Sequence, residues 1–428
     1  MEIPVSQTAA PSAPEIALGE PDFWMQPFEA IEAGFAALRR RPGLSFHREF
    51  EVPFLPPGPG YWAVVRHADV LEVSRDAARF CSGRGTQISD LPEAFNEFFG
   101  SMINQDDPRH ARLRRIVSSG FTPRMLKRVE ADVLRVAAQV IDAVAPRGEC
   151  DFVTDLAAEL PLRIICNLMG IPESQTRFVF DRTNVILGAG DPEYVAQIEN
   201  VPAALLGAGA ELAALVQDLG RQRLRQPTDD LTSALVHAEL DGERLSDAEL
   251  GSFFVLLVAA GNETTRNAIS HGMRALCEHP SQRALWQKDF DALAPTAVEE
   301  IVRWATPVLH FRRTATRDTE LSGQSIRAGD KLVLWYVSAN RDEEVFADPH
   351  RFDIRRSPNE HVGFGGPGPH HCLGAHLARR EITVMFRELF RRLPDLEITG
   401  PPQMLASNFI HGIKHMPCAF TPGGARPA

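Results

Sequence analysis

The stretch from Phe364 to Glu381, F-G-G-P-G-P-H-H-C-L-G-A-H-L-A-R-R-E, constrains this chain most, because it sets one cysteine, Cys372, between a glycine-rich loop and a helix. Gly365, Gly366 and Gly368 allow positive φ and close backbone approach, while Pro367 and Pro369 stiffen the loop, so it can lie flat against a large rigid ligand. After the cysteine, Leu377, Ala378, Ile382, Met385, Phe386, Leu389 and Phe390 recur at helical spacing, which predicts a buried helix with the sulfur near its N-terminus. The dipole and free N–H groups there favour a thiolate. With no second cysteine at metal-ligand spacing, such a thiolate suits an axial ligand to haem iron. Two blander readings are a zinc site using Cys372 with His370, His371 or His376, and a buried structural cysteine; neither accounts for the glycines.

The run Gly366-x-Gly368-x-His370-x-Cys372-x-Gly374 resembles the haem-binding loop of the cytochrome P-450 superfamily, the haem-thiolate monooxygenases. It departs from the commonest pattern in that Phe364 lies eight residues before the cysteine and Gly365 takes the usual place of the aromatic. The actinobacterial branch that hydroxylates methyl-branched lipids and sterol side chains looks the same there. The resemblance implies haem b, with Cys372 as the axial ligand of its iron and Phe364, Gly366 and Gly368 among the residues that hold it.

Other motifs follow in family order. In D-P-R-H-A-R-L-R, Asp107 can cap a helix, Pro108 suits its first position, and His110 and Arg114 share a face at i,i+4. Alone this reads as a basic surface helix; the resemblance implies that His110 and Arg114, with His370 and Arg313, bind the haem propionates. Ser246-x-x-Glu249 is a capping box that starts a long helix, apolar all round as far as Ala260 and therefore buried. That helix then presents Gly261, Glu263, Thr264 and Thr265. Thr264 can hydrogen-bond back to a carbonyl, and Gly261 permits a kink. A-G-N-E-T-T resembles the family's oxygen-activation motif, which implies that Thr264 holds a distal water and Glu263 delivers protons, since O–O cleavage needs protons inside a dry pocket. The blander reading pairs Glu263 with Arg266 or Asn267 along the helix. Glu300-x-x-Arg303, with Arg351 in P-H-R-F, resembles the family's buried Glu-Arg-Arg cluster and is assigned to folding and haem retention; Arg356 is a second candidate for the third position.

No linker divides the 428 residues, so one large haem domain over 21–420 is expected, mainly α with a small β portion, between tails 1–20 and 421–428. A first helix over Pro27 to Arg40 and a hairpin around P-P-G-P-G at 56–60 are predicted. The six cysteines lie far apart with no C-x-x-C, which suggests no disulfide framework and fits a reduced cytoplasm. The N-terminus has no signal-like run, and the longest strongly apolar stretch, Phe253 to Ala260, falls short of the roughly 20 residues of a membrane span, so a cytoplasmic protein without a transmembrane anchor is expected. A net charge of −11 argues against nucleic-acid binding.

The chain has no flavin domain and no nucleotide-binding G-x-G-x-x-G after a strand, so a ferredoxin and an NAD(P)H-dependent ferredoxin reductase are implied as electron donors. The resemblance puts Met102, Ile103, Asn104, Leu256, Leu257, Ala260, Val308, Leu309, Phe311, Phe409 and Ile410 above the haem, where an apolar lipid would be held for hydroxylation at the terminal (omega) methyl of a methyl-branched chain. A sterol side-chain or terpenoid hydroxylase is the alternative. A haem-based lipid sensor without turnover is another, against which the Glu263-Thr264 pair speaks.

Overall fold

The computed structural model describes residues 16–423, apart from 53–54, 121–122, 189–190, 196–197 and 241. Its longest helix, Asp247–Glu278, starts as the capping box requires: Ser246 Oγ accepts from the Glu249 N–H at 3.1 Å and Glu249 Oε2 accepts from the Ser246 N–H at 3.0 Å. Two N–H groups that the first turn leaves free are thereby answered. At 32 residues the helix is about 48 Å long. Helices Val201–Arg225, Glu159–Met169, Phe290–Ala305 and Ala375–Arg392 pack around it. A rod surrounded on so many sides needs no polar face, which is why its sequence reads apolar all round.

Helix Ala375–Arg392 carries the expected periodicity, burying Ile382, Met385, Phe386 and Leu389. Phe386 and Phe390 meet Trp286 at 5.2 and 5.3 Å, and Trp286 stacks on Phe290 at 5.1 Å. Each such contact adds about 0.5–1.5 kcal/mol to the burial of its rings. The helix begins three residues after Cys372, with Gly374 at its N-cap, so the sulfur lies before the first turn rather than in it.

The β portion is small. Its main sheet orders Ser45–His47, Tyr61–Val64, Lys331–Trp335, His310–Ala315 and Phe80–Cys81, with one parallel pair, Tyr61–Val64 beside Lys331–Trp335. The hairpin expected around residues 56–60 supplies the first two strands, with Phe46 opposite Trp62. In strand His310–Ala315 the pairs Phe311↔Leu334 and Arg313↔Leu332 alternate with His310↔Trp335 and Arg312↔Val333. Phe311 and Arg313 therefore share one face of the sheet, and His310 and Arg312 the other. A second sheet joins Glu149–Asp151, Pro417–Ala419 and Glu397–Ile398.

Both expected tails are shorter than their assigned bounds. Leu18 is fully buried against Phe35 and Trp335, and its carbonyl accepts from Trp24 Nε1 at 2.9 Å. At the other end, the Thr421 N–H donates to Asp395 Oδ2 and the Gly423 N–H to Ala145 O, both at 3.0 Å. The remainder of the tails, 1–15 and 424–428, lies outside the described residues. Helix Val201–Arg225 is long and apolar enough to cross a membrane by length and composition alone, a test that the core helix of a soluble protein also passes. Leu212, Val216 and Leu219 on it are buried, against Asp247–Glu278 and Leu231–His237 among its neighbours.

Candidate active site

The loop before Cys372 is closed by backbone hydrogen bonds: the Cys372 N–H donates to Phe364 O at 3.0 Å, and the Gly365 N–H to Val362 O at 2.9 Å. Gly365 and Gly368 take the expected positive φ, 83° and 150°, and the close approach at Gly366 and Gly368 is to the chain itself. A Cβ on Gly366 would meet Ser74 Oγ at 2.5 Å, and one on Gly368 would meet Ser74 O at 2.2 Å. They press the loop onto the end of helix His67–Arg75, which fixes where the sulfur sits. Phe364 is half-buried, with the Arg379 guanidinium over its ring at 4.4 Å. Arg379 in turn forks onto Glu299 at 2.5 and 2.9 Å, and His361 also reaches that carboxylate at 2.9 Å. Burial raises the Glu299 carboxyl, but Arg379 and His361 outweigh it and hold the group down at about 2. Arg379 and Glu299 had no motif to reveal them.

Cys372 is exposed, whereas Cys81, Cys150, Cys166 and Cys418 are buried. Its surroundings nonetheless push the thiol up, chiefly by desolvation, with the Gly374 N–H, Arg114 and Arg379 pulling the other way. An accessible sulfur in a desolvated recess fits a ligand to a buried metal, which deprotonates a coordinating thiol outright. The zinc reading has no support: among the described residues, no group of three or more His, Cys, Asp or Glu side chains could hold a metal ion.

Four cationic or titratable side chains converge beside this loop. The rings of His110 and His370 are 4.2 Å apart, Arg114 Nη2 donates to His371 O at 2.7 Å, and Arg313 is buried with a single bond, to Arg312 O at 2.8 Å. Burial, then Arg313, His110 and Arg114, push His370 down to about 2. Burial also lowers His110, whose Nε2 has no partner. A buried guanidinium with no carboxylate beside it is costly. Haem fits on this count, since its two propionates would answer these four groups. Pro108 stands at the N-cap rather than inside the helix, and Asp107 Oδ1 accepts from the Ala111 N–H at 3.1 Å, so Asp107 caps as expected.

On the central helix, Thr264 Oγ1 donates to Ala260 O at 2.6 Å, as its position predicts. The helix continues through Gly261, where a Cβ would come within 2.8 Å of Ile165 Cδ1; close approach to helix Glu159–Met169, not a break, is what the glycine permits. Leu256, Leu257 and Thr264 are half-buried and Ala260 is exposed, so one face is accessible midway along a helix that is otherwise packed. Glu263 is buried, ion-paired to Arg266 and accepting from Asn267 Nδ2 at 3.2 Å. This is the pairing of the blander reading.

The other expected wall residues divide. Ile103, Val308, Phe311 and Phe409 are half-buried, and the rings of Phe311 and Phe409 meet edge-on at 5.6 Å. A bridge between Val308 and Ile410, and the Leu309 N–H to Phe409 O at 2.8 Å, bring the two segments together. Met102, Leu309 and Ile410 are buried in packing and support the wall instead of lining it. Asn104 spends its amide on Thr86 Oγ1 and Asn96 O, at 2.7 and 3.0 Å.

Glu300 and Arg303 are fully buried and joined by two bonds of 2.7 and 2.8 Å. The third member is Arg356, whose Nε lies 3.1 Å from Glu300 Oε2. Arg351 is mostly exposed and pairs with Asp353 at 3.6 Å; it contributes only its carbonyl, to Arg303 and Arg356. The turn that bonds the Arg356 N–H to Asp353 O at 2.9 Å folds the later arginine back onto the carboxylate.

The family model "Cytochrome P450" matches residues 211–398. The methyl-branched lipid omega-hydroxylase of Mycobacterium tuberculosis (strain ATCC 25618 / H37Rv) is 50% identical over 422 residues, covering 97% of this chain and 98% of its own. The steroid C26-monooxygenase of Mycolicibacterium smegmatis is 44% identical over 370 residues, 85% of this chain and 84% of its own. A solved Mycobacterium marinum cytochrome P450 in complex with pseudoionone superposes with a TM-score of 0.91 at 44% identity, over 96% of this chain and 100% of that one. Identity of that degree over nearly full length means that the chain belongs to the cytochrome P450 family of haem-dependent monooxygenases.

Proposed function

We propose that this monooxygenase hydroxylates the terminal methyl of a methyl-branched lipid chain, with electrons from NAD(P)H through a ferredoxin reductase and a ferredoxin. The observation that carries this reading is the accessible, apolar face formed by Leu256, Leu257 and Ala260, which ends at Thr264. Haem, when bound, supplies oxygen activation and insertion of one oxygen atom into a C–H bond. Cys372 would hold its iron, and His110, Arg114, Arg313 and His370 would hold its carboxylates. The Thr264 hydroxyl donates its hydrogen bond to Ala260 O and keeps its lone pairs for a water on the accessible face. Glu263 would pass a proton to that water after its carboxylate leaves Arg266 and takes one up from solvent.

A terminal methyl C–H is stronger than the secondary and tertiary ones beside it, so position has to override intrinsic reactivity. Walls of Phe311, Phe409 and Val308 suit a chain admitted end-on. A steroid side chain is the second reading, favoured by the similarity to the C26-monooxygenase. An acidic ferredoxin would find Arg115 and Lys127 exposed, while Arg112 is already paired with Glu249 and Glu243, and Arg128 bonds to backbone carbonyls; the side chain of Arg124 lies outside the described residues. The test feeds the reconstituted enzyme a methyl-branched fatty acid, its straight-chain counterpart and a sterol with an iso-branched tail. Terminal hydroxylation of the branched acid is expected, and hydroxylation at internal carbons would refute the omega assignment.

A further inference from the structure

Cys150 and Cys418 stand 268 positions apart, yet their Sγ atoms are 3.4 Å from each other, and both side chains are buried and free. They are directly opposite in register on the antiparallel strands Glu149–Asp151 and Pro417–Ala419. The flanking bonds, Phe152 N–H to Met416 O and Phe420 N–H to Gly148 O, are both 2.9 Å, which makes the cysteines a hydrogen-bonded cross-strand pair. Cα atoms of such a pair lie about 5.5 Å apart, inside the roughly 4.4–6.8 Å that a disulfide spans. Only the sulfurs have to close, to about 2.05 Å, by rotation about the Cα–Cβ bonds. Strand Pro417–Ala419 is also held on its other edge by Glu397–Ile398, so it cannot slide to carry the thiols apart.

We infer that Cys150 and Cys418 form a latent disulfide, a modification site that a peroxide closes and a dithiol reopens. In the first step one sulfur attacks the peroxide O–O bond, takes up an oxygen as sulfenic acid and releases water. In the second, the partner sulfur attacks the sulfenic sulfur, the S–S bond forms, and the hydroxyl leaves with the thiol proton as a second water. The pair loses two electrons and the peroxide gains them. A monooxygenase whose electrons reach O₂ without substrate oxidation releases hydrogen peroxide, so the oxidant is a by-product of the family's own reaction. The hydrogen bond with Cys418, together with burial, pushes the Cys150 thiol up, so the site answers sustained exposure and not a brief pulse. Once closed, the bond ties the strand that follows Phe409 and Ile410 to the one that leads toward helix Glu159–Met169, whose Ile165 packs against Gly261.

Cys277 is the competitor: it is half-buried, with Arg283 Nη1 3.8 Å from its sulfur. The test is a hydrogen peroxide titration of the haem-loaded enzyme, read by thiol counting, non-reducing peptide mapping and melting temperature. The expected product is one Cys150–Cys418 crosslinked peptide, lighter than the two reduced peptides by two hydrogen atoms, with a melting temperature raised by a few degrees and both changes reversed by dithiothreitol. Cys150→Ala and Cys418→Ala should each lose the crosslink and the rise. Recovery of both cysteines as free thiols after Cys277 has been oxidised, or a crosslink joining either one to a different cysteine, overturns the inference. That result comes from the wild-type protein and holds whether or not the variants fold.

Discussion

Two Glu-x-x-Arg pairs lie buried on two helices of this molecule, and their surroundings differ. Glu300 takes two bonds from Arg303 and further ones from Arg356 Nε, Asn359 Nδ2 and the Asp353 N–H, while Arg303 also reaches the carbonyls of Asn340, Pro349 and Arg351. Among the described residues Glu263 has only Arg266 and Asn267, the Nε of Arg266 has no partner, and neither has either amide atom of the adjacent, fully buried Asn262. The same spacing thus yields a saturated cluster at one site and an under-saturated one at the other. Saturation fixes a fold, because no member can move without leaving a buried charge unpaired. An under-saturated pair can exchange partners, which is what a proton donor beside Thr264 requires.

The largest effect that would sharpen this contrast is on folding. Glu300→Gln removes the charge facing the buried Arg303 and the half-buried Arg356 and should cost about 3–5 kcal/mol, seen in denaturant melts and in poor haem retention. Glu263→Gln faces one guanidinium and should cost less, about 1–3 kcal/mol, while lowering turnover by at least about 100-fold, the scale of a lost general acid. Thr264→Ala should keep haem and substrate spectra but divert reducing equivalents to peroxide. If Glu263→Gln proved as destabilising as Glu300→Gln and left product per NAD(P)H unchanged, the two pairs would be alike and the distinction wrong.

Within the saturated cluster, Arg356→Ala should cost about 1–3 kcal/mol, since Glu300 then keeps one cationic partner. Arg351→Ala should stay within about 0.5 kcal/mol, as an exposed side chain does. Equal melting temperatures for the two variants would return the third position to Arg351.

The smallest effect at pH 7 concerns a buried group with no hydrogen-bond partner among the described residues. Neither ring nitrogen of His310 is hydrogen-bonded, and burial pushes it down to about 3 from an ordinary 6.5. The native state therefore binds fewer protons than the unfolded chain between those values, so this residue's contribution to stability is whole above pH 6.5 and is lost as pH falls toward 3. His310→Leu should leave stability at pH 7 nearly unchanged, since no bond is lost, and should flatten the acid limb of the stability curve. An unaltered acid limb would show that His310 is not the titrating group.

Local order is legible in the sequence. Ser246 and Glu249 announce the central helix because a capping box is confined to four consecutive residues, and the apolar spacing after Cys372 announces the helix behind it because burial of one face repeats every 3.6 residues. Thr264's bond to Ala260 follows from the i−4 geometry of any helix. The family resemblance of the motifs brings Cys372, His110, Arg114, Arg313 and His370 forward as one set, although only the fold brings the two histidine rings to 4.2 Å.

What the tertiary structure decided were contacts between residues far apart in the chain, which no local pattern encodes. It selected Arg356 over Arg351, because a turn set the direction of each side chain after the backbone had passed the carboxylate. It put Gly366 and Gly368 against Ser74, gave Arg379 to Glu299, and buried Met102, Leu309 and Ile410 in packing. It also joined Cys150 to Cys418 across two strands, since β pairing is set by which segments the helices leave side by side and not by their separation in sequence.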